Sequence, residues 1–449
     1  MKWFTSMTLK SSISHHSMKI WNIQFARLLT IAIVVLLSSC TLDDPAPTDQ
    51  SPPLTLTPEQ NLSLTKLSWD HVNVTGFKEY ILLQSSSSIP DNPTPVVNQD
   101  VTVVIRIKDV NETSFSVSPN LITPTVCYKL YCSVDDRFLY SPTICVQQNI
   151  DYVPGFFDSG CHAPGIDEMV LFDRTTDDLA TINYKTASIS KSISDFGFSF
   201  PSLEMSVWNG TTDVFGFDQS PASLRKFNYP SLTNTHNIGF SQVLWAVKPY
   251  HEFVFVATEE FGQSFKVLGR NNLTLIDQKI GISNNQNIAV FPGDSLVVIT
   301  FGVSSSKRYT INAAGKVIIE EDLSTRLSQA NLQNTCAQGT ELFIADVFGS
   351  IFNRNGEKLG ALSTSQNVFI QMIRLSPDEK KAIFLSNENG MQRLQIADLS
   401  NLPIVTLLQS FDLPSLNYAD VIPEEEIIYV VGTSFNSSQA QTYFLKYPM

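Results

Sequence analysis

Positive charge is scarce in this chain and nowhere clustered. Lys and Arg number 30 against 43 Asp and Glu, for a formal net charge of −13. A surface of that sign repels nucleic acid and anionic head groups, so no nucleic-acid partner is expected. Histidine is scarcer: of six, only His71, His162, His236 and His251 lie beyond residue 39. The six cysteines contain no CxxC pair. A structural zinc site therefore lacks its usual ligands, and neither metal nor cofactor is expected. GxSxG, HExxH and P-loop signatures are all missing, which removes the commonest nucleophile, metalloprotease and nucleotide motifs. A triad assembled from distant residues stays open. Long helical periodicities are lacking too. Phe is abundant and Ser, Thr and Asn are frequent, a composition that favours strands.

What is present begins with an N-terminal prepiece. Lys19 and Arg27 precede the uncharged run Leu28–Leu37, and Ser38, Ser39 and Cys40 follow. The run is shorter than the roughly 20 residues a membrane span needs. A charged flank, a short apolar core and small residues form a signal peptide over 1–39, cleaved between Ser39 and Cys40. The alternative is a buried core helix, which the charged flank before it and the polar stretch after it oppose. Leu37-Ser38-Ser39-Cys40 resembles a bacterial lipobox. The resemblance implies that Cys40 carries acyl chains and anchors the mature protein to a membrane. Thr41, where some lipoproteins have Asp, implies the outer membrane. Asp43-Asp44 resembles the surface-export signal of Bacteroidetes lipoproteins, though a solvated linker also contains acids. Cell surface and periplasmic face both stay open. Met18 can start a conventional signal peptide by itself. Loss of 1–39 removes Lys2, Lys10, Lys19 and Arg27 and no acid, taking the net charge of −13 down by four.

Residues 40–60 form a linker held extended by Pro45, Pro47, Pro52, Pro53 and Pro58. Residues 61–148 alternate over short segments bounded by turn signals, the pattern of a β-sandwich. Leu67-x-Trp69, Tyr80, Leu121 and Tyr128-x-Leu130-x-Cys132 resemble a fibronectin type III domain, with Tyr128 at its tyrosine corner. A hairpin turning at 135–137 would place Tyr128 opposite Ile144 inside and Cys127 opposite Cys145 outside. Cys127–Cys145 is then a candidate disulfide, against the alternative that all the cysteines only pack.

Residues 150–449 repeat. Strong apolar strands begin near Met169, Val214, Phe253, Leu296, Leu342, Ala382 and Ile427, at intervals of about 40–45 residues, the period of four-stranded propeller blades. Leu375-Ser376-Pro377-Asp378-Glu379 through Leu385, continued by Leu394–Leu399, resembles the SPDG-type blade of TolB-like and WD-like propellers, with Glu379 in place of the glycine. The final group is one strand short, and a stretch around Val146–Val153 could supply it. The fold expected is all-β: a fibronectin-like sandwich followed by a β-propeller, seven-bladed by strand count, with six or eight open.

Chemistry is thinly marked. Asp167-Glu168, Asp173 and Asp177-Asp178 could ligate calcium, or be solvated turn acids, and Glu424-Glu425-Glu426 reads as a surface turn. Cys161-His162 cannot form a dyad on a strand, since neighbours face opposite ways. A Cys161–Cys336 bridge is disfavoured by blade separation. Trp208, Trp245, Tyr250 and Phe261 are either loop aromatics that grip a ligand or inter-blade core. The leading function is non-catalytic binding of a protein or glycan by the propeller, with the sandwich as spacer. A carbohydrate-active hydrolase or lyase and a structural scaffold of an envelope complex are the alternatives. Labelled palmitate should be incorporated by the wild-type chain and not by Cys40→Ala; a labelled variant would place lipidation elsewhere.

Overall fold

The computed structural model describes residues 54–449 except 195–201, 220–221, 261–263, 282–284, 303–304, 328–335, 346, 364–367 and 437–438. Ser39, Cys40 and the proline-rich stretch up to Pro53 lie outside the described residues.

Eight strands come first: β1 (Leu56–Asn61), β2 (Leu64–Trp69), β3 (Phe77–Ser85), β4 (Val101–Ile107), β5 (Ser114–Val117), β6 (Thr125–Val134), β7 (Arg137–Tyr140) and β8 (Ile144–Gln147). They form one sheet β1-β2-β5 and a second β4-β3-β6-β7, with β8 also on β6. Leu67 and Trp69 of the first sheet pack on Tyr80, Leu82, Tyr128, Leu130 and Cys132 of the second. The linker expected through residue 60 ends earlier: Leu54 and Leu56 are core residues, and Leu56 opens β1. The strand escaped the sequence pattern because it is an edge. Its other five residues are exposed, and an edge tolerates Pro58 and polar side chains.

The hairpin corrects a second expectation. Val134 pairs with Arg137, so the turn is Asp135-Asp136 alone, with Asp135 at φ 49°, as a tight two-residue hairpin turn requires. Farther along, Tyr128 pairs with Ile144 and Cys127 with Cys145. The one-residue difference between these registers is absorbed after Ser141. There the Leu130 N–H donates to Ser141 Oγ at 3.1 Å. Cys127 and Cys145 are disulfide-bonded, with Cα atoms 3.9 Å apart. Cys127 does lie off the sandwich core, but it is only 3% exposed. The outer face of β6 is itself covered: Ile81, Leu83, Ile89, Val101 and Tyr131 form a second cluster. Buried Lys129 holds Asp91 at 2.6 Å and the Pro90 carbonyl at 3.1 Å there. Cys132 is a free, fully buried thiol, which desolvation pushes up to a pKa of about 11.

After β9 (Asp151–Pro154) the chain builds sheets one after another. The first is β10 (Phe157–His162), β11 (Glu168–Asp173), β12 (Asp178–Asn183) and β13 (Ser188–Ile193). The second is β14 (Ser202–Trp208), β15 (Thr211–Gln219), β16 (Ala222–Asn228) and β17 (Thr233–Gly239). The third is β18 (Leu244–Tyr250), β19 (Phe253–Thr258), β20 (Ser264–Gly269) and β21 (Leu275–Ile280). The fourth is β22 (Asn285–Phe291), β23 (Leu296–Gly302), β24 (Ser306–Ile311) and β25 (Val317–Asp322). The fifth is β26 (Cys336–Gln338), β27 (Leu342–Ala345), β28 (Ser350–Asn353) and β29 (Lys358–Ala361). The sixth is β30 (Val368–Leu375), β31 (Lys381–Glu388), β32 (Met391–Asp398) and β33 (Thr406–Asp412). The last is β34 (Tyr418–Pro423), β35 (Ile427–Asn436) and β36 (Gln439–Pro448), completed by β9.

Each sheet is antiparallel and four-stranded. First strands touch in order from β10 through β14, β18, β22, β26 and β30 to β34, and β34 touches β10. That circuit makes the architecture a β-propeller. The apolar runs that set the repeat are all second strands. They are sandwiched on both faces, so β19 is buried throughout and β23 nearly so. Fourth strands such as β13 and β33 are almost wholly exposed, Leu407 and Leu408 included. Burial therefore peaks once per sheet, at the second strand, which is why a period shows in the sequence.

Glu379 departs from the SPDG pattern for a visible reason. It sits at φ 57°, where a non-glycine residue costs roughly 1–2 kcal/mol. Its carboxylate reaches the neighbouring sheet and accepts the Thr340 N–H at 2.9 Å. A Cβ on Gly339 would come within 2.4 Å of that carboxylate, so the small residue admits the clamp. Glu379→Gly should change stability by less than about 1 kcal/mol, since strain relief offsets the lost hydrogen bonds. Glu379→Ala keeps the strain, loses the bonds and should cost about 1–2 kcal/mol in denaturant unfolding.

Candidate functional site

The first strands put a set of polar side chains around the propeller axis. Arg374 of β30 pairs with Asp420 on β34: one Nη lies 2.9 Å from Oδ1 and donates to Oδ2 at 3.1 Å. Its other Nη donates to the Ile373 carbonyl at 3.1 Å. The Asp420 side chain is 3% exposed, whereas that of Arg374 is 38% exposed. The arginine thus keeps contact with solvent while its carboxylate partner is buried. Lys248 of β18 lies 3.4 Å from Glu204 of β14, each about one-third exposed. Tyr418 at the start of β34 lies across β10, where a Cβ on Gly160 would stand 3.0 Å from its hydroxyl. That hydroxyl has no hydrogen-bond partner among the described residues.

These groups feel one another. Burial works against the Arg374 charge, but Asp420, Tyr418 and Glu204 outweigh it and raise its pKa. Glu204 belongs to the second sheet and Arg374 to the sixth, so the field acts across the ring. Burial, then Asp420, raises the Tyr418 hydroxyl. Asp158 of β10 is raised mainly by burial, with Arg174 opposing from 3.5 Å. Asp158 also sits at a break in register between β10 and β11. Similar breaks occur in β18 at Trp245 and in β30 at Gln371. Bulges of this kind re-aim single side chains and are common near sites.

The residues singled out from the sequence are dispersed. Cys161 is buried in the core between the first two sheets, where desolvation raises its thiol. Its neighbour His162 has Nε2 at 2.9 Å from the Ile166 carbonyl and is lowered by burial. The side chain of Cys336 and the whole of Phe261 lie outside the described residues. Asp167 pairs with Lys185 at 2.8 Å, Glu168 accepts from the Tyr229 hydroxyl, and Asp173 caps the turn at Thr175. No group of three His, Cys, Asp or Glu is placed to hold a metal among the described residues. Glu424 is more than a surface turn: Tyr184 donates to it at 2.8 Å and Lys185 lies 2.9 Å away, tying the last sheet to the first. Trp208 faces the Arg270 guanidinium at 5.9 Å, and Tyr250 stacks on His251 at 4.1 Å. Trp245 has a buried indole N–H without a partner among the described residues. The axial set escaped sequence reading because each member is a lone polar residue in an apolar strand, as in Ile373-Arg374-Leu375 and Ala419-Asp420-Val421.

No family model matches the chain, and no curated protein is similar to it in sequence. Among similar solved structures is a chain from one titled "Crystal Structure of Mitotic Checkpoint Complex". It shares 11% identity over 66% of this chain and 90% of its own, at a TM-score of 0.45.

The raised Asp158 carboxyl means that the folded state holds this proton more tightly than the unfolded chain does. Its contribution to stability is full below the ordinary value of 3.8 and is lost as pH rises through the raised one. Asp158→Asn should therefore gain thermal midpoint over the wild type as pH rises from below 3.8 toward neutrality. A difference that shrinks over that range would contradict the burial assignment.

Proposed function

We propose that the chain is a non-catalytic binding protein of a bacterial envelope, which engages a protein or glycan at the axial channel of its propeller. The observation that carries this reading is the pairing of the axial charges with each other, Arg374 with Asp420 and Lys248 with Glu204. Neutralised pairs with spare hydrogen-bonding capacity hold a polar ligand without leaving a nucleophile and base poised against one another. Tyr418 adds a hydroxyl with no partner among the described residues.

The remaining parts fit the same reading. Leu67, Trp69, Tyr80 and Tyr128 share one inter-sheet core, which supports the fibronectin type III resemblance. The lipobox-like Leu37–Cys40 supports an acyl anchor at Cys40, and Thr41 supports the outer membrane, at its cell-surface or its periplasmic face. A carbohydrate-active enzyme is the second reading, favoured by one observation: Asp158 has the raised carboxyl of a proton donor.

The purified chain on a glycan array, and as bait for envelope proteins, tests the binding reading. Tyr418→Phe and Lys248→Ala should each weaken the ligand found by about tenfold, the value of one polar contact. Binding indifferent to both substitutions would move the site off the axis. Release of reducing sugar, abolished by Asp158→Asn, would replace binding with hydrolysis.

A further inference from the structure

The ring is closed by β9, but β9 covers only part of the strand that it completes. It pairs with Gln441–Phe444, whereas β36 continues to Pro448. Two residues beyond Phe444, the Lys446 main chain would leave an unpaired N–H and C=O on an open edge. Both are taken by Ser63, in the turn between β1 and β2 of the sandwich. The Ser63 N–H donates to the Lys446 carbonyl at 3.0 Å. The Lys446 N–H donates to Ser63 Oγ at 2.8 Å. Leu62, at φ 58°, turns the chain so that Ser63 meets this edge.

The contact extends beyond one pair. Leu64, 4% exposed, belongs to the propeller core with Ile428, Leu445 and Tyr447 rather than to the core of its own sandwich. Ser118 donates its hydroxyl to the carbonyl of Asp412, the last residue of β33. The Tyr443 hydroxyl donates to the Leu121 carbonyl at 3.1 Å. The sandwich thus touches the sixth and last sheets, and it extends the β9 ladder where β9 stops.

We infer that the sandwich is a clasp for the propeller: it is a second fastening of the seam, and the two parts fold and unfold as one cooperative unit. It is therefore more than a spacer between linker and ring. The inference stands on the seam alone and is independent of what the channel binds.

Calorimetry of the whole chain, with hydrogen exchange read at β36, tests it. The wild type should melt in a single transition. Leu64→Ala should lower that transition as a whole by about 3–6 °C. It should also speed exchange of the Thr442, Phe444 and Lys446 amides. Ser63→Ala, which leaves the apolar contact in place, should speed exchange at Lys446 at an almost unchanged midpoint. That variant keeps the idea testable if Leu64→Ala does not fold. Two separate transitions, with the propeller one unmoved by Leu64→Ala, would overturn the inference. So would unchanged exchange at Lys446 in Ser63→Ala.

Discussion

A ring of sheets has to end where it began, and the rest of this molecule depends on that closure. Each sheet is made by neighbouring strands and short turns, so its cost in chain entropy is small. The last sheet is different: Asp151–Pro154, at the start of the ring, pairs with Gln441–Phe444 at its end. Thr433 Oγ1 reinforces the joint by donating to the Phe157 carbonyl at 2.6 Å. Only when this distant pairing forms do the first strands meet all the way round. The convergence of Arg374, Asp420, Glu204 and Tyr418 among the first strands is a consequence.

The joints between sheets follow one physical scheme. Apolar faces supply the adhesion, and polar groups set the angle and spacing. Tyr229 meets Glu168 between the first two sheets. Arg270, 1% exposed, reaches Asp213 at 2.7 Å and the Ser206 carbonyl at 2.7 Å between the next two. Asp277 accepts the Val317 N–H at 2.8 Å. Gln338 accepts the Val290 N–H at 2.8 Å and donates back to its carbonyl, imitating a strand pair. Glu379, Arg374 and Glu424 serve the remaining joints. A buried charge is costly unless it is paired; Arg270 with Asp213 and Arg374 with Asp420 are pairs that cross a joint. Arg374 and Asp420 serve both ends: they tie the sixth sheet to the last and belong to the axial polar set.

Much of the architecture was legible in the residues. The second strands bury both faces, so Phe253–Thr258 and Leu296–Gly302 stand out as continuous apolar runs and mark the repeat. The pairing of Tyr128 with Ile144 was legible too, although the turn that sets it was misplaced by one residue. Ser141 absorbs that difference through a hydrogen bond that no pattern announces. β1 was invisible, because an exposed edge strand with Pro58 looks like linker. Glu424 looked like a turn acid and Glu379 like a replaced glycine, since the partner that gives each its role belongs to another sheet.

Sequence by itself determined the local quantities: strand identity, repeat length, acidic balance and the apolar segment before Cys40. These depend on a residue and its near neighbours, through side-chain alternation and burial. Tertiary structure decided which lone polar residues meet, that Gly160 makes room for Tyr418, and that Ser63 and Leu64 leave their own sandwich for β36. Such contacts join residues of different sheets, 46 positions apart for Arg374 and Asp420 and 383 for Ser63 and Lys446. The side chains involved are ordinary in their own strands and acquire a role only when the ring brings them face to face.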